Sequence, residues 1–172
     1  GKELFGKRLE KADVLVENLP HGQMERLGFG YEAVHSANPR LIYTSIKPFS
    51  KGAPWQDYPA NRTIVSALGG TTYLCGYTGG EPVEPGVDLA DVVSGAYAGL
   101  GICAALYQRE LTGEGQFIEV SQQASLVALS RSAYEFYHQN RRNNRPGNSF
   151  PTMPDMVPMD LYRAKGEDQW VV

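Results

Sequence analysis

Short apolar, β-branched runs alternate with helical patterns as far as Val120, and this alternation restricts the fold more than any other feature. Asp13–Glu17, Leu41–Ile46 and Phe117–Val120 read as strands. Residues 2–11, 23–27, 31–37, 60–68 and 89–110 carry helical spacing or helix stop signals, and Ser121 is placed to cap a further helix from Gln122 to Gln139. Strands separated by helices must be joined by crossovers, and crossovers produce parallel sheets covered by helices. The expected fold is therefore α/β with a mostly parallel sheet and flanking helices. Residues 71–87, rich in Gly, Pro, Thr and Tyr, predict little helix. Asn140–Pro158 is polar and Pro-rich, and Met159–Tyr162 and Gln169–Val172 read as strands joined by a turn at residues 166–168. We expect residues 1–140 to belong to one large domain. Residues 141–172 would form a connector and the start of a second, smaller domain.

The composition narrows the function. With 172 residues, 42% of them hydrophobic and 20% charged, the chain can bury a core. A net charge of -3 offers no electrostatic case for nucleic acid or an anionic membrane. Cys75 and Cys103 have no metal-ligand spacing and read as reduced, buried thiols of a cytoplasmic protein. His21, His35 and His138 are scattered, so we expect no metal site. We also expect no run of membrane-spanning length and no signal peptide. The chain opens on Gly1-Lys2-Glu3 inside a helical pattern and closes on Gln169-Trp170-Val171-Val172 inside a strand pattern, so it reads as an internal segment.

Four features carry chemistry. Gly86-Val87-Asp88-Leu89-Ala90-Asp91 leads into the long helix, placing Asp91 in its first turn and Asp88 as a candidate cap. A helix start has unpaired N–H groups and a positive potential, which favour an ionised carboxylate, and an ionised carboxylate can act as a nucleophile. Lys47 follows the strongest strand, at the carboxyl end where parallel sheets bind ligands, and could hold a phosphate or carboxylate. Asn18 follows the first strand in the same way, with an amide that both donates and accepts. The helix after Asp91 sets Leu89, Val92, Val93, Ala96, Leu100, Cys103 and Tyr107 at helical spacing, and Gly95, Gly99 and Gly101 make it thin enough for close packing. No phosphate-loop or dinucleotide fingerprint is present. Arg141, Arg142 and Arg145 read as a solvated connector or as a contact for an anionic ligand or partner subunit.

The order of these fragments resembles the class III CoA-transferases of the formyl-CoA and carnitine-CoA transferase type. The resemblance is carried by residues 12–18, Pro20-x-Gly22, Met24-Glu25-Arg26-Leu27-Gly28 and Asn38-Pro39-Arg40-Leu41-Ile42-Tyr43. It continues through the Gly86–Asp91 run, Ala104-Ala105-Leu106, Thr112-Gly113-x-Gly115-Gln116, Val120-Ser121 and Pro146-Gly147-Asn148. Such enzymes are more than twice as long, so the resemblance implies a Rossmann-like fragment of a larger two-domain fold. It implies transfer of coenzyme A from an acyl-CoA to a free carboxylic acid, with no metal. An aspartate attacks the thioester, forms a mixed anhydride and then an aspartyl-CoA thioester; Asp91 matches it. Asn18 and Lys47 match positions near the CoA cleft. The resemblance also implies an interlocked homodimer, and an isolated segment without activity. Leu19 stands where the family often has Phe. The racemase branch of the superfamily has a catalytic His at the place of Asn61. An acyl-CoA racemase or isomerase, or a non-catalytic CoA-binding fragment, are the alternatives.

Overall fold

A computed structural model describes residues 1–77, 79–141, 162–167 and 169–171. The first half is α1 (Lys2–Leu9), β1 (Val14–Glu17), α2 (Gln23–Leu27), α3 (Tyr31–Ala37), β2 (Ile42–Lys47), α4 (Arg62–Leu68) and α5 (Thr71–Leu74). It continues with α6 (Leu89–Thr112), β3 (Phe117–Ser121), α7 (Gln122–Leu129), α8 (Arg131–Asn140), β4 (Tyr162–Arg163) and β5 (Trp170–Val171). Strands β1, β2 and β3 form a parallel sheet in that order, with Glu17 opposite Ser45 and Lys47 opposite Ser121. The fold is the parallel α/β arrangement that the alternating pattern predicts. β2 is the central strand, and Leu41, Ile42, Tyr43 and Thr44 are all nearly or fully inaccessible, as expected of a parallel strand covered on both faces.

The amino ends of the strands are tied by polar groups bonded to main chain. The Asn38 amide donates to the carbonyls of Leu9 and Ala12, both at 3.0 Å, fixing the exit of α1 beside the entry to β1. Arg40 donates to the Gly113 carbonyl at 3.0 Å. Arg109 is 7% exposed and donates to the Arg40 carbonyl at 3.1 Å while pairing with Asp13 Oδ1 at 3.0 Å. Gly113 ends α6 with φ 82, a left-handed conformation that glycine adopts without steric penalty. A β-carbon on Gly115 would fall on the Leu41 carbonyl oxygen, so only glycine lets the turn pass this close to the strand.

α6 departs from its sequence pattern. The helix buries Ala90, Ser94, Ala98, Ala105 and Arg109, and not the larger residues of its apolar series. Val92 and Leu100 are each 67% exposed and Tyr107 is 72% exposed. Small residues win the inner face because they let the helix axis approach the sheet: a β-carbon on Gly101 would sit 3.2 Å from Ile118 Cγ2. This is also the one helix among the described residues long and apolar enough to cross a membrane by length and composition, contrary to the expectation that no run reaches that length. Its alanines and glycines supply the apolar length without forming a bulky run. Cys103 lies on the same outward surface, so the two thiols are not both buried as expected; Cys75 is half-buried.

Other boundaries shift locally. The helix expected over 122–139 is divided at Ser130, whose ψ of 17° leaves the helical well. Residues 71–74 form one short helix within the 71–87 stretch expected to hold little. β4 and β5 pair antiparallel, with Arg163 opposite Trp170. Arg142, Arg145, the Pro146-Gly147-Asn148 motif and most of the expected connector lie outside the described residues.

Candidate active site

The three strands end at one edge, and the sequence-predicted site residues divide there into two environments. Lys47 is the last residue of β2 and is buried rather than presented to a ligand. Its ammonium donates to Glu17 Oε1 at 2.7 Å, to Glu17 Oε2 at 2.8 Å and to the Leu19 carbonyl oxygen. Three hydrogens meet three acceptors, so no donor is left for an anion. Glu17 also accepts from Ser45 Oγ at 2.5 Å and from the Leu19 N–H at 2.9 Å. Sequence reading treated Lys47 as an open cation because Glu17 lies thirty residues away; the parallel register of β1 and β2 brings them together.

Asn18 follows Glu17 and is exposed. It lines a cleft of about 450 Å³ with Leu19, His21, Pro48, Tyr58 and Ala60. Ala60 is shared between two structures: it walls this cleft and packs on the cluster of Val65, Ala90 and Leu126 that seats the start of α6. A second cavity of about 380 Å³ lies over the Glu17–Lys47 pair and is lined by His21, Glu25, Tyr43 and Glu119 as well. Burial raises the Tyr43 phenol above its ordinary range, and the hydroxyl donates to the Phe29 carbonyl at 3.1 Å. Tyr43 is thus a neutral structural donor at physiological pH.

Asp91 stands in the first turn of α6 and is exposed. Among the described residues its carboxylate has one side-chain partner: Gln122 Nε2 donates to Oδ1 at 2.5 Å. Among the described residues no main-chain amide donates to it. The start of α6 is fixed from the other side. Arg62 Nε donates to Glu84 at 2.9 Å and Thr63 donates to the same carboxylate at 3.2 Å, which ties the loop before α6 to α4. Asp88 takes the cap position but makes no capping hydrogen bond; its nearest ionic partner is Arg62 at 3.7 Å. The expected capping box is therefore not formed, because the Asp88 side chain turns toward Arg62. Asn61 does cap its helix, accepting from the Ile64 N–H at 3.0 Å.

Sequence reading missed Gln122. It is the first residue of α7, immediately after β3, and is half-buried. Its position is set by the cap that sequence reading did find: Ser121 Oγ accepts from the Ala124 N–H at 3.2 Å. The Gln123 N–H donates to the Pro48 carbonyl at 3.1 Å, linking this turn to the end of β2. Only the packing of α6 on α7 reveals that the two first turns meet. Among the described residues no group of His, Cys, Asp and Glu could hold a metal ion.

The parallel α/β sheet thus carries an exposed carboxylate on the first turn of α6, joined through Gln122 to the residue that follows β3. The chain belongs to CoA-transferase family III, whose model matches residues 1–172. It is 39% identical over its whole length to a formyl-CoA:oxalate CoA-transferase of Streptomyces avermitilis, of which it covers 42%. It is 35% identical over 95% of its length to a succinyl-CoA:mesaconate CoA-transferase of Haloarcula hispanica, again covering 42% of that protein. Among solved structures, a CaiB/BaiF family protein from Brucella suis superposes with a TM-score of 0.85 at 28% identity, over 95% of this chain and 43% of that one. The chain thus spans about two fifths of the length of the curated relatives it matches.

Proposed function

We propose that the full-length protein transfers coenzyme A from an acyl-CoA thioester to a free carboxylic acid, with Asp91 as the covalent nucleophile. The observation that carries this reading is the environment of Asp91: an exposed carboxylate in the first turn of a 24-residue helix, held among the described residues through one oxygen. Asp91 Oδ2 attacks the thioester carbon, the C–S bond breaks, and CoA leaves as the thiolate. The thiolate then attacks Cγ of the mixed anhydride, giving an aspartyl thioester and releasing the donor acid. The acceptor carboxylate reverses both steps and regenerates Asp91. Every step exchanges one acyl bond for another, so no metal or redox cofactor enters. The named relatives act on oxalate or mesaconate, which supports a small dicarboxylic acid as acceptor.

Asn18 borders the cleft that receives CoA. Lys47 serves that cleft indirectly, by gripping Glu17 and the Leu19 carbonyl and so fixing the turn that presents Asn18. The remaining chain length of family members, and a homodimeric arrangement, supply the cover for the outward face of α6, where Val92, Leu100, Tyr107 and Leu111 are each at least 67% exposed. The segment alone is expected to be inactive. Asn61 is engaged as a helix cap, which supports transfer over α-proton abstraction at that place.

The test is a hydroxylamine trap. Full-length protein incubated with acyl-CoA, quenched with hydroxylamine and digested should yield an aspartyl hydroxamate on the peptide containing Asp91. Turnover without any modification of that peptide would remove Asp91 from the mechanism.

A further inference from the structure

The geometry points to Gln122 as the donor that holds Asp91 Oδ1 and stabilises the charge developing there when Cγ is attacked, an inference that rests on the covalent reading of Asp91. Gln122 Nε2 already donates to Oδ1 at 2.5 Å, and among the described residues no other side chain bonds that carboxylate. The donor is well supported. It projects from the first turn of α7, whose start is held by the Ser121 cap and by the Gln123 N–H on Pro48. The acceptor is equally fixed, since Ala90 beside Asp91 is 1% exposed and packs with Leu126 of α7. Donor and acceptor are thus carried by two helices in direct contact, rather than by loops.

The arrangement distinguishes the two carboxylate oxygens. Holding Oδ1 leaves Oδ2 to attack the thioester. In the mixed anhydride that follows, Oδ2 is the bridging oxygen and Oδ1 is the carbonyl oxygen. When the CoA thiolate attacks Cγ, the S–Cγ bond forms and the π pair moves onto Oδ1. Its return breaks the Cγ–Oδ2 bond and expels the donor acid as a carboxylate. The acceptor acid later attacks the same carbon, and the pair again passes through Oδ1 before CoA leaves as thiolate. Gln122 Nε2–H is aimed where this charge forms, which is the requirement for a preorganised oxyanion donor. A neutral amide suits the position: an arginine would pair strongly with the resting carboxylate and stabilise the ground state as well.

Full-length Gln122→Leu and Gln122→Glu separate this role from scaffolding. Both should fold as the parent does by circular dichroism and thermal melting. Both should lower kcat by about 10²-fold, the loss typical of one oxyanion donor, with KM for acyl-CoA unchanged. Partition of the trapped intermediate is the readout that a merely structural role would not move. Anhydride releases its acyl group as a free acyl hydroxamate, measured above an enzyme-free control, whereas thioester at Cγ gives aspartyl hydroxamate. Loss of the Oδ1 donor slows attack at Cγ, so the ratio should shift toward acyl hydroxamate. Near-parental kcat, or a fall of both products together with their ratio unchanged, would overturn the assignment. If the parent itself gives no hydroxamate at Asp91, the covalent reading fails first; if it does and only the Gln122 variants behave as the parent, the failure is confined to Gln122.

Discussion

Both edges of the parallel sheet carry polar and charged residues, but they use them differently. At the amino edge, Asn38, Arg40 and Arg109 direct donors at main-chain carbonyls, and Arg109 adds an ion pair with Asp13. At the carboxyl edge one pair, Glu17–Lys47, is closed on itself, whereas Asp91 and Asn18 remain exposed. The difference shows how a parallel sheet divides labour: one end is a clasp, and the other is left open for a ligand at the strand ends. It also shows that charge at the open end is not uniform. A buried lysine saturated by three acceptors supports the frame, whereas Asp91 is exposed and, among the described residues, has one neutral side-chain partner.

The comparison can be broken first at Asp91. Asp91→Ala in the full-length protein should reduce CoA transfer by roughly 10³-fold or more, as loss of a covalent nucleophile does, while far-UV dichroism and the melting temperature stay close to the parent. Lys47→Met should do the opposite: it leaves Glu17 buried without its cation and should cost about 3–5 kcal/mol in urea unfolding. Adding Glu17→Leu to that variant should recover much of the loss, since a buried pair replaced whole by apolar residues is near neutral. A Lys47→Met variant as stable as the parent would mean the pair contributes nothing to the frame. At the clasp, Asn38→Ala removes two hydrogen bonds from partly buried carbonyls and should cost about 1–3 kcal/mol, with kcat preserved in the folded fraction. The smallest effect belongs to Asp88→Ala. The side chain makes no cap bond, its ion pair is half-exposed and its buried Oδ1 has no hydrogen-bond partner among the described residues, so unfolding free energy should change by about 0.5 kcal/mol or less. A loss near that of a true cap, about 1 kcal/mol, would restore the capping box.

Much of the fold was legible because its signals are local. The β-branched run at 41–46 marks the central strand, Gly28 and Gly113 stop helices by adopting positive φ, and Ser121 caps the helix it precedes. Asp91 was legible for the same reason, since a Gly-rich loop running into a helical pattern fixes where the first turn falls. Asp88 shows the limit of such reading: the cap spacing is present, yet Arg62 draws the side chain away. α6 shows another. Periodicity identified the helix and its glycines marked it as thin, but only the close approach to β2 and β3 assigned the inner face to the small residues and the outer face to the large ones.

The sequence by itself determined the alternation of strands and helices, the family and the candidate nucleophile, because periodicity, caps and ordered motifs are properties of neighbouring residues. Tertiary structure alone decided that Lys47 is enclosed by Glu17, that α6 turns its bulky side outward, and that Gln122 reaches Asp91. Those outcomes depend on strand register and helix approach across thirty residues or more. There, burial and hydrogen-bond saturation override what any local pattern records.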